Sequence, residues 1–430
     1  MRRSRGAGWF YPERAVRALE AAVAVALVAG CAGGCASGAQ TGSGGGRTAG
    51  VSAEASAEAP VTAVRSIAAS EVAPPPMRFK EFRLPGLHKL GGVGTRIAAF
   101  AGPDATVYGD APIVLMDLET GRHAVGRPHA VGWEERYGVL GLRCSDSWVV
   151  WEELRGDEAE EPLDCDWKLY AAPVDAKSLK LGEPVLVAES VVSIQSRPMF
   201  VVLGDEVFWM TNSAPNPKQE GTIRGARISA RRLPNGPVRT VVESRHNFAS
   251  ISESEGKLLV CELPSKDSKS EVLHVVDPKS GAVERSLDLR NGEAEVSHLP
   301  KVHGGLVAWA VMPDAETDET MLLVATGTGG GRQLDTRGMD PVLVGPYVVY
   351  ETLSRDAGPG GTPRLMQRIR GYDPRTREVF TIAESDADKD GAWQLWMWQG
   401  YDPERFVMTK KSVSGSGKPV TIVRVYEIDR

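Results

Sequence analysis

The sharpest chemical signal in this sequence is the run Asp386-Ala387-Asp388-Lys389-Asp390-Gly391. Aspartates at alternate positions can turn three carboxylates toward one hard cation, and a glycine in sixth place permits the sharp turn, as a Ca²⁺ loop requires. The twelfth position would be Met397, not a bidentate glutamate, and no clear helical pattern flanks the run. A simpler aspartate loop for calcium, with Asp386, Asp388 and Asp390 as ligands, is the expectation set against an ordinary polar loop. Trp393, Trp396 and Trp398 follow at once, with Tyr401 behind them. Strand alternation would place Trp396 and Trp398 on one face, where aromatic rings could stack on a sugar; packing between sheets explains tryptophans equally well.

Other chemistry is thinner. There is no Gly-x-Ser-x-Gly elbow, no His-Glu-x-x-His pair and no glycine-rich phosphate loop. His88, His123, His129, His246, His274, His298 and His303 match no ligand spacing. No catalytic residue is therefore assigned, and an enzyme is the less favoured reading. Two acidic stretches stand out, Asp157, Glu158, Glu160, Glu161, Asp164 and Asp166, then Asp314, Glu316, Asp318 and Glu319. They read as solvated surface or as a face for a cation or basic partner. Cys144 and Cys165 could pair only if the chain between them folds back, and Cys261 reads as a small buried hydrophobe.

The elements that must position these residues repeat. Short runs rich in Val, Trp, Tyr and Phe recur at 97–100, 148–151, 207–210, 258–261, 306–309, 347–350 and 406–409. Each is followed by a polar loop and a second run, at 113–118, 169–174, 224–231, 272–277, 321–325, 367–373 and 420–428. Several second runs end in a turn: Asp117-Leu118-Glu119-Thr120-Gly121 and Asp277-Pro278-Lys279-Ser280-Gly281 put Asp at the start and Gly where positive φ is needed, whereas Asp373-Pro374-Arg375-Thr376-Arg377 keeps the form without the Gly. Short strands at a period of roughly 40 to 60 residues predict an all-β fold, a β-propeller of seven blades in preference to six or eight. No Pro/Ser/Gly-rich break divides residues 96–430, which argues against two stacked β-sandwiches. Residues 77–84 partly alternate and are expected to supply the outer strand that closes the last blade.

The unit Ile97-Ala98-Ala99-Phe100, then Ile113-Val114-Leu115-Met116-Asp117-Leu118 running into Glu119-Thr120-Gly121, is similar to a blade of the TolB-type propellers of bacterial envelopes. The resemblance extends weakly over the globular part and implies the fold and a binding role.

Upstream, residues 1–17 carry five Arg, residues 21–30 are small or apolar, and Cys31 follows Val28-Ala29-Gly30 directly. A basic region, a short apolar run and small residues make a secretory signal, and the apolar run is shorter than the roughly 20 residues a transmembrane helix needs. Val28 to Cys31 resembles the lipobox of bacterial lipoproteins, which implies diacylation of Cys31 and anchorage to the membrane outside the cytoplasm, in the cell envelope. The expected organisation is a signal segment at 1–30, a disordered Gly/Ala/Ser/Pro-rich tether at 31–76 and a propeller domain at 77–430. As a flexible coil the tether would have an r.m.s. span of roughly 35 to 40 Å.

The whole chain of 430 residues carries a formal charge of −6, and its basic leader contributes +3, so the remainder is near −9. An acidic body without a basic stripe argues against nucleic acid. The functional expectation is an exported, lipid-anchored binding scaffold for an envelope protein or glycan; the alternative is a polysaccharide hydrolase or lyase using carboxylates in the central channel.

Overall fold

A computed structural model describes residues 65–66, 69–102, 112–128, 131, 137–155, 167–190, 198–212, 225–263, 272–289, 295–314, 319–326, 332–335, 338–357, 362–396 and 404–428. They build seven predominantly antiparallel sheets. Blade 1 comprises Lys89–Val93, Ile97–Ala101, Ile113–Asp117 and His123–Arg127; blade 2 Tyr137–Cys144, Trp148–Arg155, Trp167–Asp175 and Val185–Ser190; blade 3 Met199–Leu203, Glu206–Asn212, Ala226–Arg232 and Val238–Ser244. Blade 4 comprises Asn247–Ser254, Lys257–Leu263, Val272–Val276 and Val283–Asp288; blade 5 Glu295–His303, Leu306–Asp314, Glu319–Thr326 and Arg332–Asp335; blade 6 Gly338–Val344, Tyr347–Ala357, Pro363–Asp373 and Glu378–Asp386. Blade 7 takes Trp393–Trp396, Arg405–Val413 and Pro419–Ile428 from the C-terminal end, and its fourth strand, Met77–Pro85, from the other end of the sequence.

The first strand of each blade touches that of the next, from blade 1 round to blade 7 and back to blade 1. The sheets therefore close a seven-bladed propeller with these strands innermost. The closing pairing is antiparallel, from Met77 opposite Ile428 to Pro85 opposite Val420, as the alternation in residues 77–84 predicts. The apolar runs read from the sequence are the second strands of the blades and the runs after them the third. These strands are covered on both sides by neighbouring blades, so their residues are apolar almost continuously rather than alternately. In Leu306–Asp314, Val307, Trp309 and Val311 pack toward blade 4 while Leu306 and Ala308 pack toward blade 6. The core is accordingly divided into seven wedges, one in each gap between blades.

Strands occur upstream of the boundary expected at residue 77. Arg65–Ser66 adds a parallel strand to the outer edge of blade 5 at Arg332 and Gln333, and Ser70–Glu71 does the same on blade 6 at Glu378 and Val379. The Ser70 amide donates to the Arg377 carbonyl at 3.3 Å and the Val72 amide to that of Val379 at 2.9 Å. Ala69 packs against the wedge between blades 5 and 6, and Glu71 lies 3.6 Å from the Arg370 guanidinium. Composition alone suggested tether here, because small polar residues that pair through their backbone leave no hydrophobic pattern. The segment runs along three successive blade edges before the first innermost strand begins.

Candidate functional site

Antiparallel connectivity sorts the loops onto two faces. Turns between first and second strands, and between third and fourth, share one face; the remaining connections share the other. The first face is short and laterally joined. Asp146, in the turn of blade 2, accepts from the amides of Arg96 at 2.8 Å and Ile97 at 3.0 Å in blade 1 and from the Thr95 hydroxyl. Ser145 donates to the Gly204 carbonyl of blade 3 at 3.1 Å, and Glu255 of blade 4 accepts from the Gly304 amide of blade 5 at 2.9 Å.

The same face carries one turn four times, beginning at Asp117, Asp175, Asp277 and Asp373. The aspartate side chain accepts from the amide two residues on, at 2.9, 2.9, 3.1 and 2.8 Å respectively. The amide four residues on donates to the aspartate carbonyl in every case. The fifth residue has positive φ each time: Gly121 at 72°, Leu179 at 55°, Gly281 at 71° and Arg377 at 63°. These bonds hold the carboxylates in their ionised form. At Asp117 burial alone would raise the pKa, but Arg96 and the amides of Glu119 and Thr120 prevail and lower it. Asp277 is driven far below the ordinary range by Ser280 and Lys257.

The opposite face carries the longer connections, including residues 156–166, 213–225 and 264–271, most of which lie outside the described residues. On this face Asp386 ends the outer strand of blade 6 and caps a single helical turn, Ala387–Asp390; its Oδ1 accepts from the Lys389 amide at 3.2 Å, and Arg364 stands 3.8 Å from Oδ2. The side chains of Asp388 and Asp390 are outside those described. Among the described residues, no three His, Cys, Asp or Glu side chains are grouped so as to hold a metal. Trp393 is 4% exposed in the wedge between blades 6 and 7, beneath Arg424 at 4.4 Å and Lys410 at 5.4 Å from its ring, so its faces are taken up by protein and it offers none to a sugar. Trp396 ends the inner strand of blade 7, with its ring not described; Trp398, Tyr401, Cys31, Cys165 and the acidic residues 157–166 lie outside the described residues. Cys144 is a buried free thiol donating to the Ile97 carbonyl at 3.5 Å, and burial pushes it up to about 12.

The channel holds the group that sequence reasoning missed. Arg143, Glu253, Lys301 and Asp340 lie on the innermost strands of blades 2, 4, 5 and 6. Lys301 is 7% exposed, and burial pushes its ammonium down to about 8 although Glu253 and Asp340 favour the charge; Arg143, acting from across the ring, opposes it. The Arg143 guanidinium donates to the carbonyls of Gly91 at 3.1 Å and Leu142 at 2.7 Å and lies over the Phe200 ring at 5.6 Å. Asp340 sits at φ 49° where blade 6 slips register between Met339 and Val342. The inner strands of blades 1, 2, 4 and 5 slip similarly, and such bulges re-aim side chains. A weak signal was present in sequence: Arg143, Glu253 and Lys301 each stand one or two residues before the turn into the second strand.

A seven-bladed ring with one tight face, one long-looped face and a charged channel is a class of architecture, and its members share geometry before chemistry. No family model matches this chain, and no curated protein matches its sequence. Among solved structures it is similar to the polysaccharide lyase Uly1, at 9% identity over 80% of this chain and 90% of that one, TM-score 0.48. It is also similar to TolB from Acinetobacter baumannii, at 12% identity over 76% and 79% of the two chains, TM-score 0.34. A prolyl endopeptidase matches at 13% identity over 81% of this chain, TM-score 0.42, but this chain spans only 46% of that enzyme's length. These likenesses concern the fold alone.

Proposed function

We propose that this protein is exported, held to the membrane by a lipid on Cys31, and presents its propeller as a binding scaffold to an envelope protein or a glycan. The observation that carries the reading is the contrast between the two faces. One is built from turns as short as Gly204-Asp205, joined sideways by Asp146, Ser145 and Glu255, and has little freedom to vary. The other sets long connections on that rigid frame, the usual disposition of a binding surface. Lipidation is tested by feeding cells an alkyne fatty acid: the wild-type chain takes up label and fractionates with membrane, and Cys31→Ser does neither. The binding half is tested by cross-linking in intact envelopes. Cross-links concentrated in residues 156–166, 213–224 and 264–271 support it; cross-links concentrated on the short turns overturn it.

A second reading, a polysaccharide hydrolase or lyase, is favoured by one observation: the carboxylates of Glu253 and Asp340 act on the same buried Lys301 in the channel. A buried lysine with a depressed pKa beside carboxylates is one mark of catalysis. Wild-type protein that cleaves an acidic polysaccharide, with the cleavage lost in Glu253→Gln, would replace the scaffold by this reading.

A further inference from the structure

Outside the channel, one set of side chains assembles a hydroxyl, an imidazole and a carboxylate in hydrogen-bonded series. In blade 4 the register sets His274 directly opposite Ser286, and Glu262 lies two residues from His274's other partner, Val260. His274 Nδ1 is 2.8 Å from Ser286 Oγ, and His274 Nε2 is 2.9 Å from Glu262 Oε2. The carboxylate is itself held. Its Oε1 accepts from the Ser244 hydroxyl of blade 3, and His246 Nδ1 stands 3.3 Å away. Burial alone would raise Glu262, yet the bonds from His274 and Ser244 prevail and lower it, so it is a carboxylate at neutral pH. In the tautomer that donates Nε2–H to the ionised Glu262, the Nδ1 lone pair faces the Ser286 hydroxyl. Glu262 and His274 border a small depression between blades 3 and 4, walled by Val242, Phe248, Val260, Val276 and Val283, with Ser286 outside its lining. Ser286 and His246 are partly open to solvent, whereas His274 is 8% exposed.

We propose that Ser286 is a nucleophile toward acyl esters, with His274 as its general base and Glu262 as the residue that positions the imidazole. In the first step Ser286 Oγ bonds to the acyl carbon, its proton passes to His274 Nδ1, and the ester's C–O bond breaks. The leaving oxygen takes the electron pair and the imidazolium proton. Water then repeats the sequence on the acyl-serine, giving the carboxylic acid and restoring Ser286. The arrangement is that of a serine hydrolase with the two ring nitrogens exchanged.

The test uses the full chain with a fluorophosphonate and with p-nitrophenyl acetate. One phosphonyl group is expected, mapped by mass spectrometry to Ser286, together with a burst of nitrophenolate about equal to the protein present. Ser286→Ala loses both, and His274→Gln slows labelling by about a hundredfold or more. Glu262→Gln slows labelling while leaving its final extent unchanged, a separation that mere loosening of the blade would not produce. Absence of label from Ser286 in the folded wild-type chain overturns the proposal, as does an unchanged rate in folded His274→Gln. Mapping on the wild type needs no variant, so a substitution that fails to fold leaves the decision intact.

Discussion

Burying the Lys301 ammonium makes the ring's stability depend on pH in one direction. In an unfolded chain a lysine keeps its proton up to about 10.5; in the channel Lys301 releases it at about 8. Between those values the unfolded state binds more protons, so the stability contributed through Lys301 rises with pH across this window and is level below it. Urea midpoints compared at about pH 7 and about pH 10 should show the wild type gaining on Lys301→Met. A constant difference would mean that the side chain reaches water. The repeated aspartate turn makes a second prediction at this scale. A Cβ on Gly281 would meet the Val241 carbonyl and would also have to adopt φ 71°, so Gly281→Ala should cost at least about 1–2 kcal/mol. Arg377 pays the same left-handed cost in the wild type, and Arg377→Gly should recover part of it; thermal midpoints moving in opposite directions for the two variants are the check.

At the scale of elements, side-chain amides tie one blade to the next. Gln367, fully buried on the third strand of blade 6, donates to the Trp393 carbonyl and accepts from the Trp393 amide, both at 2.5 Å, with the Ser385 hydroxyl on the same oxygen at 3.2 Å. Asn212 of blade 3 does likewise for Phe248 of blade 4, at 2.9 and 3.1 Å. Gln367→Leu strands a buried amide and carbonyl, at about 1–3 kcal/mol for each group. Amide exchange should quicken at Trp393 and its strand while the blade 2 strands keep their protection. The second and third strands were legible in the sequence because both of their faces are buried, and the Asp-x-x-x-Gly turns because only certain residues tolerate them. The innermost strands were not. Lys89–Val93 and Gly338–Val344 contain glycines or a proline, slip register and face a polar channel, so they carry neither alternation nor an apolar run. The groups at Lys301 and Ser286 escaped reading for a related reason: the first is drawn from separate blades, and the second meets only through strand register. Arg377 shows the converse. The turn that lacks the glycine is formed in full, its Asp373 bonds compensating an arginine at φ 63°.

Across the whole molecule, stability rests on closure. Leu84 of the fourth strand of blade 7 is fully buried in the wedge that joins blade 7 to blade 1, beside Val423, Phe100 and Met116. A chain beginning at residue 87 lacks that strand and should lose its single cooperative thermal transition, leaving an open sheet edge prone to association. A chain beginning at residue 74 keeps the strand but lacks the pairings on blades 5 and 6; the bonds lost, among them those of the Ser70 and Val72 amides to blade 6 at about 0.5–1.5 kcal/mol each, predict a lower midpoint with cooperativity intact. Cooperative melting of the shorter chain would show that the ring closes without its clasp.

The path of the segment before that strand has a mechanical consequence. Tension applied upstream of residue 65 reaches the propeller first at Arg65–Ser66 on blade 5, next at Ser70–Glu71 on blade 6, and only then at Met77. Each parallel contact is two residues long and can yield singly, so the edges of blades 5 and 6 absorb load in steps before any reaches the ring. When load does arrive, it peels the closing strand from its Met77 end, one pair at a time, rather than shearing all nine residues of Met77–Pro85 at once. A propeller pulled from upstream of residue 65 therefore yields in steps, and the last of them is the peeling of its own closing strand.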